Sequence, residues 1–389
     1  MPTSGDAGPD SPGLAARLRS LFARLEPRPR LVDWSIFTLV LVAFVTGMVS
    51  LTAGDPSQWF LFDIHAVVGP ALVVLLVFKL RRVRRRITDR RLWDRTTAVS
   101  ILAATTAILA LATGFFWVMG GDFDFLLWNA LNVHIGLGIL LLPLVLVHLR
   151  GRWRVPRRVD FEGRRTALQY TALLVGGALF YRAQETANLV FDTPGKDRRF
   201  TGSKPASEPG TTGNAAFPPT SWVADNPDPI SPTDWQVRVD GLVAEPLTFG
   251  PESVDGAQGA ESRTESGVTA DSELRALLDC TSGWYTEQDW RGVRVGDLLD
   301  RAGASDDARY VRFVSVTGYR WSLPVEEARD ALLATHVGGE RLSHGHGFPL
   351  RLVAPNRRGF QWVKWVVRVE VRERGDPAQW LVTLISGFD

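Results

Sequence analysis

The stretch LLWNALNVHIGLGILLLPLVLVHL, residues 126–149, decides the fold of the first part of the chain. It contains no Asp, Glu, Lys or Arg, and at a rise of 1.5 Å per residue a helix of this length crosses the ~30 Å hydrocarbon core of a bilayer. Three earlier runs are similarly long and mostly uncharged: Trp34–Ala53, Phe60–Leu80 and Thr97–Met119. The sequence therefore predicts an all-α bundle of four transmembrane helices over residues 31–150, with the lipid bilayer as its surroundings.

A fifth, weaker apolar segment is Thr166–Tyr181, about 16 residues long. Arg164 and Arg165 precede it, as in a twin-arginine export signal, although basic residues also flank many ordinary helices. We expect residues 151–185 to form a basic loop and a fifth helix that either spans the membrane or acts as a signal-type anchor.

The placement of Lys and Arg predicts an orientation for these helices. Basic residues concentrate in the tail over residues 1–30 and in two loops, 79–95 and 150–165, whereas the loops around Asp55 and Asp122 contain none. Because cytoplasmic loops carry the excess of Lys and Arg, the tail and both basic loops are predicted to be cytoplasmic. The chain is then a multi-pass protein of the plasma membrane, with everything after about residue 185 outside the cytoplasm.

Length, charge and cysteine content restrict the classes of function. A chain of 389 residues suggests two or three domains. Through Arg165 there are 21 Lys and Arg against 12 Asp and Glu, whereas the remainder has 23 against 30, so a nucleic-acid partner has little support. The single cysteine, Cys280, excludes an intramolecular disulfide and any zinc or iron–sulfur site built from several cysteines.

Two histidines fall inside the apolar runs, where an ionisable side chain is costly and usually functional. His65 and His134 are predicted to lie at similar depth, about 8–9 Å below the outer ends of parallel helices. Gly69 and Gly138 follow them by one helical turn and leave room for a flat macrocycle. We interpret the pair as axial ligands of a b-type haem, the alternative being hydrogen bonds to neighbouring helices.

His148 raises the question of a second haem. It follows His134 by fourteen residues and lies on nearly the same helix face, but the matching position in the second run is Lys79. We therefore favour an interfacial histidine over a second haem ligand. With His65 and His134, the first part of the chain resembles a four-helix, di-haem-type cytochrome b reduced to its outer haem.

The second part is predicted to be an α+β domain, dominated by antiparallel sheet, over residues 221–389. Residues 186–220 are rich in Gly, Pro, Ser and Thr and are predicted to be a linker, and residues 250–272 a surface loop. Alternating apolar and polar residues predict strands, and short helical patterns predict helices. The strands are Trp235–Val243, Tyr310–Val316, Pro349–Val353 and Trp362–Val371, and the helices are Val295–Ala302 and Val325–Leu333.

Three strings in this part carry a specific resemblance: LLDCTSGWYTEQDWRGVRVGDLLDRAGA, YVRFVSVTGYRWSLPVEEARDALLATHVGGERL and HGHGFPLRLVAPNRRGFQWVKWVVRVEV. They resemble the molybdopterin-binding domain of the sulfite oxidase superfamily, including the catalytic subunit of the periplasmic methionine sulfoxide reductase. The resemblance implies a Mo-molybdopterin cofactor whose molybdenum takes one protein thiolate, and Cys280 is the only candidate. From the residues alone, a lone cysteine is more often buried and inert.

The resemblance also implies the other site residues. Cofactor contacts carry over to Ser315, His346, Arg351, Trp362, Val363 and Lys364. Arg351 and Lys364 would suit a terminal phosphate, while ordinary strand chemistry, with alternate charged residues facing solvent, is the alternative for these positions. Tyr319 and Arg320 are candidate catalytic residues of the pocket or residues of its rim, and Gly359 would permit a close backbone turn.

These features predict a membrane-bound molybdenum oxidoreductase that exchanges electrons between the quinone pool or another membrane redox partner, a haem b and an extracytoplasmic substrate. Aromatic residues follow Cys280, which favours reduction of a sulfoxide or N-oxide, either as a small molecule or bound in a protein. Sulfite-oxidase-like oxidation of an external substrate is the alternative reaction. A cofactor-free, membrane-anchored binding domain is the alternative from another class.

Overall fold

The computed structural model describes residues 27–126, 128–152, 155–222, 225–231, 234–250 and 270–385. Most of the predicted tail and of the predicted loop over residues 250–272 therefore lie outside the described residues. The chain divides into two compact units. Met1–Gly47 and Asp63–Thr193 belong to the first, and Met48–Phe62 and Pro194–Asp389 belong to the second.

Helices make up the first unit. Four of them are long and apolar enough to cross a membrane, as the sequence predicts, with apolar spans Pro29–Ser50, Pro56–Thr88, Thr97–Val118 and Ala130–Gly151. A two-stranded hairpin, β1 (Asp124–Phe125) and β2 (Trp128–Asn129), precedes the fourth. The helix bounds are α1 (Pro29–Ser50), α2 (Trp59–Thr88), α3 (Thr97–Val118), α4 (Ala130–Arg152), α5 (Arg158–Phe161) and α6 (Arg164–Val190).

The fifth predicted segment is the middle of α6, which packs closely on the other helices. A Cβ at Gly177 would lie 2.7 Å from the carbonyl oxygen of Val67 in α2, so only glycine permits this approach. Gln184 and Asn188 are buried and both donate to the carbonyl oxygen of Val118, over 3.1 and 2.9 Å. These two amides satisfy the last carbonyl of α3, which has no partner within its own helix.

Two sheets form the second unit, and most of their strands are antiparallel. The five-stranded sheet has the order β5-β4-β13-β8-β9, in which only β4 and β13 are parallel. In the six-stranded sheet, β7 pairs with β3, β6 and β10, and β10 also pairs with β11 and β12. The bounds are β3 (Lys204–Pro205), β4 (Val237–Gly241), β5 (Leu247–Phe249), β6 (Ser272–Asp279), β7 (Trp284–Arg294), β8 (Tyr310–Ser315), β9 (Arg320–Pro324), β10 (Leu332–Val337), β11 (Glu340–Arg341), β12 (Arg351–Val353) and β13 (Val366–Arg372).

Three short helices complete the second unit: α7 (Val295–Arg301), α8 (Val325–Asp330) and α9 (Gln379–Ile385). Three predicted strands begin later than expected: β4 at Val237 and not at Trp235, β12 at Arg351 and not at Pro349, and β13 at Val366 and not at Trp362. Trp365 has a positive φ of 51°, which a tryptophan rarely adopts and which interrupts extended backbone. Residues 362–365 are consequently a loop, and Lys364 lies outside the sheet.

Of the stretch predicted to be a linker, residues 194–220 belong to the second unit. Lys204 and Pro205 form β3, which pairs in parallel with the start of β7. The side-chain amide of Asn214 donates to the carbonyl oxygen of Arg341 over 2.8 Å. A composition rich in Gly, Pro and Ser does not reveal such pairing, because the hydrogen bonds are made by backbone and small polar groups.

Candidate functional site

Cys280 lies in the tight turn that joins β6 to β7. Its amide donates to the carbonyl oxygen of Trp284 over 2.8 Å, and the amide of Gly283 donates back to the carbonyl oxygen of Cys280 over 3.0 Å. Gly283 has a φ of 92°, a conformation that favours glycine. The sequence SGW after the cysteine therefore closes the hairpin and fixes the position of the thiol.

The thiol is 7% exposed and is approached from three directions. The amide of Ser282 donates to Sγ over 3.4 Å, and the hydroxyl of Thr220 lies 3.5 Å from Sγ. A Cβ at Gly359 would lie only 3.1 Å from the Cα of Cys280. Gly359 thus allows its backbone to pack closely against the main chain of Cys280, whereas the sequence suggested that this glycine permits a backbone turn.

Two cations lie near the thiol: Arg351, which is buried, and Lys364, which is half-buried. Lys364 donates from Nζ to the carbonyl oxygens of Thr220 and Gly345, over 2.7 and 2.6 Å. Arg351 is 4% exposed, donates to the carbonyl oxygen of His346 over 3.0 Å and lies over the adjoining rings of Trp290 and Trp362. Burial and, to a smaller extent, repulsion from Arg351 lower the pKa of Lys364 to about 7. Burial also lowers the pKa of Arg351, to about 10. Neither cation contacts a carboxylate among the described residues.

Several buried N–H groups around Cys280 also lack an acceptor in the part of the chain that the structure describes. They are Nε of Arg351, Nε of Arg358, Nε1 of Trp284 and Nε2 of Gln361. Buried donors without partners are costly, and buried cations need compensating negative charge. This donor set fits an anionic group with several acceptor oxygens, such as a pterin that carries a phosphate.

The remaining predicted cofactor contacts lie in the same region. Ser315 is buried at the end of β8, and its hydroxyl accepts from the hydroxyl of Thr317 over 3.1 Å. Trp362 and Val363 are buried in the loop before Lys364. Both ring nitrogens of His346 are engaged, with the hydroxyl of Ser343 at 2.7 Å and the carbonyl oxygen of Phe217 at 2.9 Å. The contact of His346 with a cofactor stays a prediction.

The two predicted catalytic residues of the pocket are both engaged by the protein. The hydroxyl of Tyr319 donates to the carbonyl oxygen of Phe360, and burial raises the pKa of the phenol. Arg320 forms an ion pair with Asp376, with 2.6 Å between Nε and Oδ2, and Arg312 shares this carboxylate. Their roles in catalysis stay predictions.

Sequence reasoning missed three residues beside the cysteine: Thr220, Asp279 and Arg358. The guanidinium of Arg358 donates to the carbonyl oxygen of Cys280 over 3.2 Å and pairs with Asp279, with 3.0 Å between Nη1 and Oδ1. Burial lowers the pKa of Arg358. The adjacency of Asp279 to Cys280 was the only available signal, since the contacts of Thr220 and Arg358 are non-local.

A second candidate site lies in the first unit, where the structure brings His65 and His134 together with ring centres 6.0 Å apart. His134 uses Nδ1 to contact the carbonyl oxygen of Ala110 at 2.8 Å, so this nitrogen carries the proton. His65 contacts the hydroxyl of Thr46 at 3.1 Å through Nδ1, and that hydroxyl donates to the carbonyl oxygen of Val42. In both histidines the proton is therefore on Nδ1, so Nε2 is unprotonated. An unprotonated ring nitrogen is the form that binds a metal.

The spacing of the two rings suits a shared metal. Two imidazoles that bind one ion with bonds of about 2 Å have ring centres about 6.3 Å apart. A Cβ at Gly138 would meet nothing within 4 Å, and one at Gly69 would come no closer than 3.9 Å to another atom. The open space next to Gly138 agrees with the expected room for a macrocycle, whereas a Cβ at Gly69 would make an ordinary contact with Leu111.

His148 and Lys79 are held by other partners. Nδ1 of His148 lies 2.8 Å from the hydroxyl of Ser100, and Nζ of Lys79 lies 2.7 Å from a carboxylate oxygen of Asp33. Lys79 thus forms an ion pair at the position where a second haem would need a histidine. Among the described residues, no group of three or more His, Cys, Asp and Glu is arranged to hold a metal ion.

A buried thiol beside buried cations, within an α+β domain, defines a cofactor-binding enzyme domain. Residues 224–380 match the family described as the oxidoreductase molybdopterin binding domain. The chain belongs to this family of molybdopterin-binding oxidoreductases.

Individual relatives agree with the family. The "Uncharacterized oxidoreductase YuiH" of Bacillus subtilis is 30% identical over 38% of this chain and 70% of its own length. The protein-methionine-sulfoxide reductase catalytic subunit MsrP of Ralstonia nicotianae is 27% identical over 39% of this chain, and the match spans 47%, about half, of its length. A solved structure of the sulfane dehydrogenase SoxCD from Paracoccus pantotrophus is 26% identical, covers 38% of this chain and 40% of that chain, and has a TM-score of 0.33.

Proposed function

We propose that this chain is a membrane-bound oxidoreductase that transfers electrons from the quinone pool, through a haem b, to a molybdenum centre held by Cys280, where a sulfoxide or N-oxide is reduced. The observation that carries the proposal is the setting of Cys280. Its thiol is fixed on a hairpin turn beside the buried Arg351 and the half-buried Lys364, two cations without a contacting carboxylate among the described residues.

The chain's own residues would divide the work of holding the cofactor. Arg351 presents a planar fork of donors and Lys364 a point charge, a combination that suits a phosphate. Cys280 would supply the thiolate ligand, and the amide of Ser282 and the hydroxyl of Thr220 would orient its sulfur. When bound, Mo-molybdopterin supplies two-electron oxygen-atom chemistry at this position.

His65 and His134 would hold the haem through their Nε2 atoms. The contacts to Thr46 and Ala110 fix the tautomer and the ring orientation of each imidazole, as second partners of metal-bound histidines do. A bound haem supplies one-electron transfer, which links a quinol to a two-electron reaction. His148 has no such role in this proposal.

Three arginines near the site already form ion pairs with carboxylates of the protein and are not free to bind an anion. This favours an uncharged substrate over sulfite. Arg320 pairs with Asp376, and both Arg199 and Arg358 pair with Asp279. Reduction of a sulfoxide takes two electrons and two protons and yields a sulfide and water, while the quinol becomes a quinone. Relatives named methionine-sulfoxide reductase support this direction. Sulfite-type oxidation, with electrons flowing the other way, is the second candidate.

The membrane topology is part of the proposal. The four apolar helices would span the plasma membrane with the basic loops in the cytoplasm, and the second unit would be extracytoplasmic. The helix α6 begins at Arg164, so Arg164 and Arg165 would lie at its cytoplasmic end as part of a twin-arginine-type signal. Because the chain belongs to an oxidoreductase family, we do not favour the alternative that its second part is a cofactor-free binding domain.

A redox titration of the purified full chain in detergent tests the direction of the reaction. The haem is reduced with a quinol analogue, and methionine sulfoxide, an N-oxide or sulfite is added separately. We expect the sulfoxide or the N-oxide to reoxidise the haem in the wild-type protein and not in Cys280→Ala. Reduction of the oxidised haem by sulfite would instead support the oxidase alternative.

A further inference from the structure

Asp279, the residue before Cys280, is the most heavily bonded carboxylate near the site. Its side chain is 2% exposed. The hydroxyl of Thr201 donates to Oδ2 over 2.7 Å, and the hydroxyl of Ser203 donates to Oδ1 over 2.6 Å. The guanidinium of Arg199 also contacts Oδ2, at 3.2 Å. These three partners come from one short segment, residues 199–203.

Arg358 connects this carboxylate to the cysteine itself. It approaches Oδ1 of Asp279 with Nη1 and donates with Nη2 to the carbonyl oxygen of Cys280. The next residue, Gly359, lies directly behind the Cα of Cys280. The carboxylate therefore fixes an arginine that in turn fixes the main chain at the thiol.

The segment that holds Asp279 lies upstream of the family match, which begins at residue 224. It is anchored independently, because the amide of Lys204 donates to the carbonyl oxygen of Gly283 and the amide of Arg199 donates to that of Ser203, each over 2.9 Å. A stretch outside the matched domain thus reaches the turn that carries the cysteine.

We propose that Asp279 is a positioning residue for Cys280, and that residues 199–203 are an added part of the site that holds it in place. Its carboxylate balances the charges of Arg199 and Arg358 and keeps the hairpin turn rigid, so that the thiol stays shielded and oriented. The proposal rests on Cys280 as the molybdenum ligand, but its effect on the thiol is measurable without the metal.

The experiment compares Asp279→Asn with Asp240→Asn. Asp240 is also buried and also contacts two arginines, Arg238 at 2.8 Å and Arg368 at 3.0 Å, but it lies on β4 in the other sheet. Because Cys280 is the only cysteine, alkylation by iodoacetamide reports on this thiol alone. The full chain is produced in a host without pterin synthesis, and its alkylation rate is measured alongside its thermal unfolding.

We expect Asp279→Asn to accelerate alkylation about tenfold, because a looser turn exposes the sulfur to the reagent. Asp240→Asn should leave the rate unchanged. Molybdenum retention by the cofactor-loaded protein should fall in Asp279→Asn only. Equal alkylation and equal retention in both variants would overturn the proposal.

Ser203→Ala keeps the proposal testable if Asp279→Asn does not fold. It removes one 2.6 Å hydrogen bond to Asp279 and leaves the charges in place. We expect a smaller acceleration, about threefold, in a protein that unfolds within a few degrees of the wild type. A wild-type rate in a folded Ser203→Ala protein would contradict the role of the segment. If no preparation, including the wild type, binds molybdenum, the proposed function fails while the alkylation result still stands.

Discussion

The two candidate sites of this chain are built in opposite ways. In the first unit, His65 and His134 come from helices, and each is held by a neighbour one helix away, Thr46 or Ala110. In the second unit, Cys280 lies on a turn, and Thr220 and Arg358, which contact its thiol and its carbonyl oxygen, come from loops 60 and 78 residues away. Helical periodicity by itself places each histidine on a given face of its helix. The position of the cysteine, in contrast, depends on contacts with segments that are distant in the sequence.

This difference has a physical consequence for robustness. The histidine pair is electrically neutral and is surrounded by apolar helices, so removing a ligand should leave the bundle folded. The thiol site contains the buried charges of Asp279, Arg351 and Arg358, and a buried charge that loses its partner destabilises the whole domain. Substitutions of the two histidines should therefore affect haem binding alone, and substitutions at the thiol site should affect both cofactor content and stability.

The largest effect is expected from the histidines. If the two histidines hold a haem b as proposed, His65→Ala and His134→Ala should each lower the haem content of the purified protein by at least about tenfold, because each removes one of the two proposed ligands. His148→Ala should retain the haem, since its contact is the hydroxyl of Ser100. Absorption spectra of the reduced protein measure this content. Loss of haem in His148→Ala would overturn the assignment of a single haem.

A sharper test uses the open space beside Gly138. A Cβ there would meet no protein atom within 4 Å, and the same holds for Gly176 on α6. If the space at Gly138 accommodates a haem, Gly138→Leu should reduce the haem content severalfold without lowering the melting temperature. Gly176→Leu is the matched control and should bind haem normally. Equal haem contents in the two variants would argue against a macrocycle at this position.

In the second unit, Gly359→Ala should reduce molybdenum content and stability together. The added Cβ would lie 3.1 Å from the Cα of Cys280, and crowding of this kind costs about 1–3 kcal/mol. At Gly375 the nearest atom would be 3.5 Å away, so Gly375→Ala should behave as the wild type. Metal analysis and thermal unfolding of both variants provide the measurement. A fully loaded, fully stable Gly359→Ala protein would contradict the packing described here.

The smallest expected effect is a pH dependence caused by Lys364. Its pKa is about 7 in the folded protein and about 10.4 in an unfolded chain, so between these values the unfolded state binds more protons. The free energy of unfolding of the cofactor-free protein should therefore rise with pH over this range, by no more than about 1.4 kcal/mol per pH unit.

Lys364→Met should flatten this profile, and a bound phosphate group should weaken it by favouring the charged amine. Chemical unfolding at pH 7, 8 and 9 measures the slope. The same slope in Lys364→Met and in the wild type would assign the dependence to another group.

The sequence predicted different features of the two units. Uninterrupted apolar runs and the spacing of His65 and His134 predicted the four helices and the proximity of the two imidazoles. The family resemblance pointed to Cys280, Arg351 and Lys364. The mostly antiparallel α+β domain and the molybdopterin-binding family were likewise predicted correctly.

The rest depended on contacts that no local pattern encodes. The hydroxyls of Thr201 and Ser203 reach Asp279 across about 80 residues of sequence, from a stretch whose composition predicted a linker. Trp365 adopts a positive φ inside an alternating apolar pattern, so the predicted strand begins four residues late. Helical periodicity could not reveal that α6 would pack on α2 through Gly177.

The central claim is that Cys280 holds molybdenum, and metal analysis tests it most directly. Molybdenum and pterin are quantified in the purified full chain and in Cys280→Ala, with Asp240→Asn as a folded control. We predict about one molybdenum and one pterin per wild-type chain, and loss of turnover in Cys280→Ala, with less metal and the pterin still held in part by Arg351 and Lys364. A wild-type chain without molybdenum or pterin, or a Cys280→Ala protein with full metal content and full activity, would contradict it.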